Sequence, residues 1–151
     1  MRGFNFSSLI IAVIVVWTVV RHFVQARRQW RRLIAAWGKA RSSTAAGRHV
    51  GGGLIAVDDA VLGPWFLFVV TPRGLRVQGR GPLQAMFAPV LVPWSRMEVR
   101  RYVRLPFGRG YEVLADPERT PGEPLHLFLP DRVVRAARVF LEIPESEQPD
   151  R

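Results

Sequence analysis

From Phe4 to Val20 the chain reads FNFSSLIIAVIVVWTVV, 17 residues without a charge, and this run constrains everything that follows it. As a helix it is about 26 Å long, close to the ~30 Å hydrocarbon core of a bilayer. Arg21 and His22 come next, and their side chains can snorkel so that Phe23 and Val24 extend the apolar length. Residues 4–24 therefore read as a transmembrane helix, with Trp17 suited to an interfacial position. Two other readings compete. Val24-Gln25-Ala26 loosely fits a signal-peptide cleavage site, but the RRQWRR that follows opposes translocation. A buried core helix is the other, and the absence of any polar face over Leu9–Val16 speaks against it.

The net charge of +10 is unevenly spread. Residues 1–57 carry nine basic residues and no acid, residues 58–109 eight arginines against three acids, and residues 110–151 five arginines against nine acids. Before the apolar run stands only Arg2; after it come Arg21, Arg27, Arg28, Arg31, Arg32, Lys39 and Arg41. The positive-inside bias then puts the C-terminal part in the cytoplasm, giving a single-pass protein of the cell (inner) membrane. The charge thus reads as topology rather than as a nucleic-acid signature, and nucleic acid is not favoured as a partner. Absence of cysteine removes disulfide frameworks, thiolate metal sites and cysteine nucleophiles together.

Residues 25–41 predict a basic amphipathic helix. Phe23, Ala26, Trp30, Leu33, Trp37 and Ala40 recur by threes and fours, flanked by Arg27, Arg28, Arg31, Arg32 and Lys39. One reading lays this helix on the inner leaflet, with Trp30 and Trp37 among headgroups and Arg27, Arg28, Arg31 and Arg32 on anionic lipid. The other packs the stripe onto the soluble domain or continues the span as a stalk. Self-association along the stripe is a third. Residues 42–53, rich in small residues, read as a flexible linker.

About 100 residues then remain for one small domain. Seven short apolar or alternating runs, Leu54–Val57, Trp65–Thr71, Leu75–Gln78, Val90–Pro93, Met97–Val103, Tyr111–Ala115 and Leu125–Leu129, are separated by turn signals. Thr71-Pro72-Arg73-Gly74 predicts a tight hairpin, with glycine supplying a positive φ. In Met97–Leu105 strict alternation puts Arg101 on the apolar face, one arginine out of pattern. A helix capped by Asp131 and stopped by Pro144 closes the domain, with Val133, Val134, Ala137, Phe140 and Leu141 on its apolar face. The expected class is α+β: a transmembrane helix, then an antiparallel β-barrel or two-sheet domain over 54–142 with a C-terminal helix, and a disordered acidic tail at 143–151.

The stretch from Trp65 through TPRGLRV at 71–77 to PVLVPWSRMEV at 89–99 resembles small bacterial membrane-anchored proteins of unknown function. They carry Gly-Leu after a strand, here Gly74-Leu75, and an apolar run ending in Pro-Trp-Ser, here Pro93-Trp94-Ser95. The resemblance spans roughly residues 50–141 and implies a pleckstrin-homology-like barrel, hence a binding scaffold rather than an enzyme. Residues 79–88 depart from the expected form.

Chemistry-bearing residues are sparse. Asp58-Asp59 is the only adjacent carboxylate pair and reads as a solvated turn; His22, His49 and His126 lack metal-ligand spacing; Gly51–Gly53 lacks the lysine of a phosphate loop. No catalytic, cofactor-binding or metal-ligating residue is assigned. Arg100, Arg101 and Arg104 form a candidate face for an anionic partner, since guanidinium groups make paired hydrogen bonds to phosphate or carboxylate. The expected function is a non-enzymatic, membrane-anchored binding or scaffold module, taking a membrane protein or anionic lipid headgroups as partner. The alternative is a structural subunit that associates through its span and juxtamembrane helix.

Overall fold

A computed structural model describes residues 6–38, 47–58, 60–63, 65–106, 108–115 and 124–144. Its first element, α1 (Phe6–Trp37), is one unbroken helix of 32 residues, so the apolar run and the basic amphipathic segment are continuous. Nothing in the sequence breaks it: no proline or glycine occurs between Phe6 and Trp37. Gly38 ends it with φ +74°, donating its N–H to the Ile34 carbonyl at 2.7 Å, a left-handed cap that glycine adopts at little cost.

Among the described residues nine strands follow: β1 (Arg48–Gly53), β2 (Ala56–Val57), β3 (Ala60–Val61), β4 (Phe66–Thr71), β5 (Gly74–Gly79), β6 (Val90–Pro93), β7 (Met97–Leu105), β8 (Gly108–Ala115) and β9 (Leu125–Pro130). They form two antiparallel sheets, β1-β4-β5-β6 and β3-β2-β9-β8-β7, and no closed barrel. A 3-10 turn at Trp94–Arg96 carries the chain from the edge of one sheet to the edge of the other. Phe66, Phe68 and Val77 from the first sheet and Val57, Val113 and Leu127 from the second are buried in one core. The short helix α2 (Asp131–Ala136) packs Val133 and Val134 into this core and touches both sheets.

Several expectations change. The linker reading of 42–53 is overturned for Arg48–Gly53, which is strand β1 paired with β4; residues 42–46 lie outside the described residues. Its glycines have a use: the ladder shifts register between His49 and Gly51, and Gly51 takes φ +92° at that bulge. The expected strand at Leu54–Val57 shortens to β2, and the additional β3 forms a small hairpin with it. Gly74 has no positive φ. Small size is what matters there, because a Cβ would overlap the Val92 backbone of the neighbouring strand. Thr71 closes the hairpin instead, its buried hydroxyl donating to the Gly74 carbonyl at 2.7 Å and accepting the Gly74 N–H at 3.2 Å. Asp131 does not cap α2. The cap position is Pro130, and Asp131 sits one residue later, ion-paired with Arg135 at 2.6 Å. Of the expected tail, 145–151 lies outside the described residues.

The out-of-pattern Arg101 has a structural cause. Against β8 the register of β7 shifts between Val99 and Arg101, leaving Arg100 as the extra residue of a bulge. Met97 and Val99 face the core before it; after it the alternation is reversed, so Tyr102 meets Tyr111 edge-on at 5.2 Å and Arg101 turns outward.

Candidate functional site

The two halves of α1 have opposite surroundings. Its first half leaves Leu9, Ile10, Ile11, Val13, Ile14, Val15, Val16, Trp17, Val19 and Val20 exposed, on all sides of the helix. By length and composition Leu9–Trp37 of this helix is a candidate membrane span. Its second half lies along the open side of the two-sheet domain, touching β6 of one sheet and β3 of the other. Ala26, Trp30 and Leu33 are buried there, with Phe23, Ile34 and Trp37 packed around them.

Trp30 anchors this docking. It is 1 % exposed and its ring lies 4.9 Å from Phe66 and 5.5 Å from Phe87, centroid to centroid. Its indole N–H donates to the Ala88 carbonyl at 3.0 Å, so the one polar atom taken into the interior is paired. This corrects the membrane-surface set. Trp30 is a core residue, and Trp37 is half-buried against the same core. Arg27, Arg28 and Arg31 remain exposed, and Arg32, exposed too, reaches across to Asp58 of the domain.

Arg100, Arg101 and Arg104 do not form one face. Arg100 pairs with Glu98 at 3.1 Å, and Arg101 pairs with Glu112 at 2.5 Å. Arg104 stands opposite Arg109 in the ladder and, three residues from Arg101, points to the other side of the sheet. The bulge at Arg100, invisible to a strict alternation, separates them.

The polar residues that do converge line an open cleft of about 930 Å³ between α1 and the outer face of the second sheet. Gln25, Gln29 and Arg32 come from α1, and Val61, Val103 and Leu105 give an apolar part of the wall. On the helix side Arg32 bonds Asp58 at 2.6 Å and Gln29 at 3.0 Å. Asp58 is therefore not a merely solvated turn residue. It takes φ +51°, a conformation short polar side chains tolerate, and exchanges hydrogen bonds with His126: its N–H donates to the His126 carbonyl at 2.7 Å and its carboxylate accepts the His126 N–H at 3.0 Å. Asp59 lies outside the described residues. On the sheet side Glu112 accepts from Arg101, and its other oxygen lies 3.0 Å from the His126 ring. The Arg101 hydrogen bond holds the Glu112 carboxyl below its ordinary range; partial burial opposes this and His126 adds to it.

The cleft was not legible from spacing, because Arg32, Asp58, Glu112 and His126 come from four elements. The only hint was His126 placed on the outer face of the apolar β9, where its side chain is exposed. Trp94 is buried in the turn between the sheets, donating its indole N–H to the Thr71 carbonyl at 2.7 Å. Phe140 stacks on it at 5.6 Å.

Fold and site together define a class: an apolar helix that passes without a break into the core of a two-sheet domain. The chain matches no protein-family model, and neither curated proteins nor solved structures include one significantly similar to it.

Proposed function

We propose that the chain is a single-pass membrane protein whose two-sheet domain is a non-enzymatic binding or scaffold module held at the cytoplasmic face of the cell membrane. The observation that carries this reading is the continuity of α1: one half is uncovered apolar helix, the other is part of the domain core. Uncovered apolar surface on every side of a helix finds its counterpart in lipid. A cleaved signal peptide accords poorly with the fold, since the candidate cut after Ala26 falls inside a helix whose next turns, with Trp30 and Leu33, are packed in the domain. Sidedness rests on the arginines at 21–41.

The pleckstrin-homology-like relationship is supported by strand order. The four-strand meander β1-β4-β5-β6, interrupted by the β2–β3 hairpin, precedes the three-strand meander β7-β8-β9 and a closing helix. The surface offered to a partner is the cleft beside α1. Its mixed charges and apolar wall suit a segment of a membrane protein reaching the cytoplasmic surface. The alternative, a structural subunit that associates through its juxtamembrane stripe, has that stripe already occupied by its own domain, which leaves the span as the surface for association. A photo-crosslinker at Gln29, in native membranes, should capture a distinct protein, and Arg101→Glu should abolish capture. Capture no greater than at Arg73, far from the cleft on the β4–β5 hairpin, counts against the module reading. Crosslinking of copies of this chain to one another through the span favours the alternative.

A further inference from the structure

We infer that the end of the domain carrying Trp65 and the 3-10 turn Gly81–Ala85 is seated in the headgroup layer of the leaflet from which α1 emerges, so that the domain holds the bilayer by a second contact besides its span. The inference rests on the proposed span. With the span ending at Val24, the level midway between Phe23 and Trp30 on α1 stands about 4 Å beyond it, and the headgroup layer is roughly 5–8 Å deep, so that level lies within the layer. A tilt of about 20° shortens this depth by less than a tenth. The Phe87 ring lies 6.0 Å from Phe23 and 5.5 Å from Trp30, so the segment just after the Gly81–Ala85 turn stands at that level. Trp65 is tied to this end as well, because its carbonyl accepts the N–H of Arg80, the residue before the turn, at 2.8 Å.

Two large apolar side chains face outward here: Trp65, 60 % exposed, and Met86, 39 % exposed. Among the described residues outside α1, the other exposed large hydrophobics are Val139 and Phe140 after α2, and Phe140 is stacked on Trp94. Tryptophan is suited to the boundary between hydrocarbon and water, where its ring and its N–H are both accommodated. The exposed Arg80 beside it, with Arg21, Arg27 and Arg28 from α1, adds the positive charge that anionic headgroups attract. At the other end of β4, the exposed hairpin residues are Pro72 and Arg73, with no large apolar side chain. Depth, apolarity and charge thus coincide at one end of the domain. The occupant is the lipid surface itself.

The chain has no cysteine, so single-cysteine labels report without background. The full chain is reconstituted in vesicles of phosphatidylcholine and phosphatidylglycerol, with an environment-sensitive fluorophore at Val16→Cys, Gln84→Cys or Arg73→Cys. All three positions are exposed. Nitroxide lipids quench either at headgroup level or in mid-chain. The label at Gln84 is expected to lose its fluorescence to the headgroup nitroxide, the label at Val16 to the mid-chain nitroxide, and the label at Arg73 to neither. If Gln84 is as unquenched as Arg73 while Val16 is quenched, the seat is wrong and the anchor stands. If Val16 is unquenched, the anchor and the seat fall together. Replacing Trp65 and Met86 by alanine should bring Gln84 quenching toward the Arg73 level; unchanged quenching removes these two side chains from the contact.

Discussion

Trp30→Ala tests the docking of α1 most directly. The substitution removes a side chain that is 1 % exposed and packed on Phe66 and Phe87, and it leaves the Ala88 carbonyl without its donor. Truncating a buried tryptophan costs about 3–5 kcal/mol, of which about 1–3 kcal/mol is attributable to an unsatisfied carbonyl where water cannot reach it. A domain of this size is stable by roughly 5–15 kcal/mol in total, so the loss is a large fraction of it. Trp30→Phe keeps most of the aromatic contact and loses the hydrogen bond, so its cost should fall near half that of the alanine. Urea unfolding of the full chain in mild detergent, followed by far-ultraviolet circular dichroism, measures both. Hydrogen exchange of the amides at 26–36 tells undocking from global unfolding. A loss below about 1 kcal/mol for Trp30→Ala would place the indole outside any well-packed core and refute the docking as described.

Two further predictions concern domain boundary and pH. A fragment beginning at residue 39 lacks Trp30 and Leu33, whose burial contributes roughly 1.5–3 kcal/mol each; it should melt without cooperativity, whereas a fragment beginning at residue 21 should melt like the full chain. Equal melting of the two would show that α1 is dispensable to the core. The Glu112 carboxyl is held below the ordinary glutamate value of 4.5. A depressed folded-state value contributes stability above the unfolded value, and that stability is lost as pH falls through the folded one. The urea midpoint of the native chain should therefore exceed that of Glu112→Gln near neutrality, and the gap should narrow below about pH 4.5. Arg101→Ala should move the narrowing to higher pH, since it removes the hydrogen bond that is the largest cause of the shift. A gap constant from about pH 6 to pH 3 would mean that the pair does not couple to folding.

The apolar run, the helical stripe and most strands are local facts and were legible along the chain. A run of 17 uncharged residues has few alternatives to a buried or lipid-facing helix. Period-three-and-four spacing names Ala26, Trp30 and Leu33 as one face, and alternation locates β4 through β9 to within a few residues. What covers that face is not local. Lipid and the core of the domain are both apolar, and only the tertiary structure, through the Trp30–Ala88 hydrogen bond and the Phe66–Phe87 cluster, assigns the stripe to the domain. The bulge in β7 is likewise decided by pairing with β8: one extra residue reverses the facing of all later side chains and parts Arg101 from Arg104. The Arg32–Asp58 and Arg101–Glu112–His126 pairs lie beyond sequence reasoning for the same reason. Charge pairing depends on distance in space, and residues 26 positions apart become neighbours only when the helix and the sheets have packed.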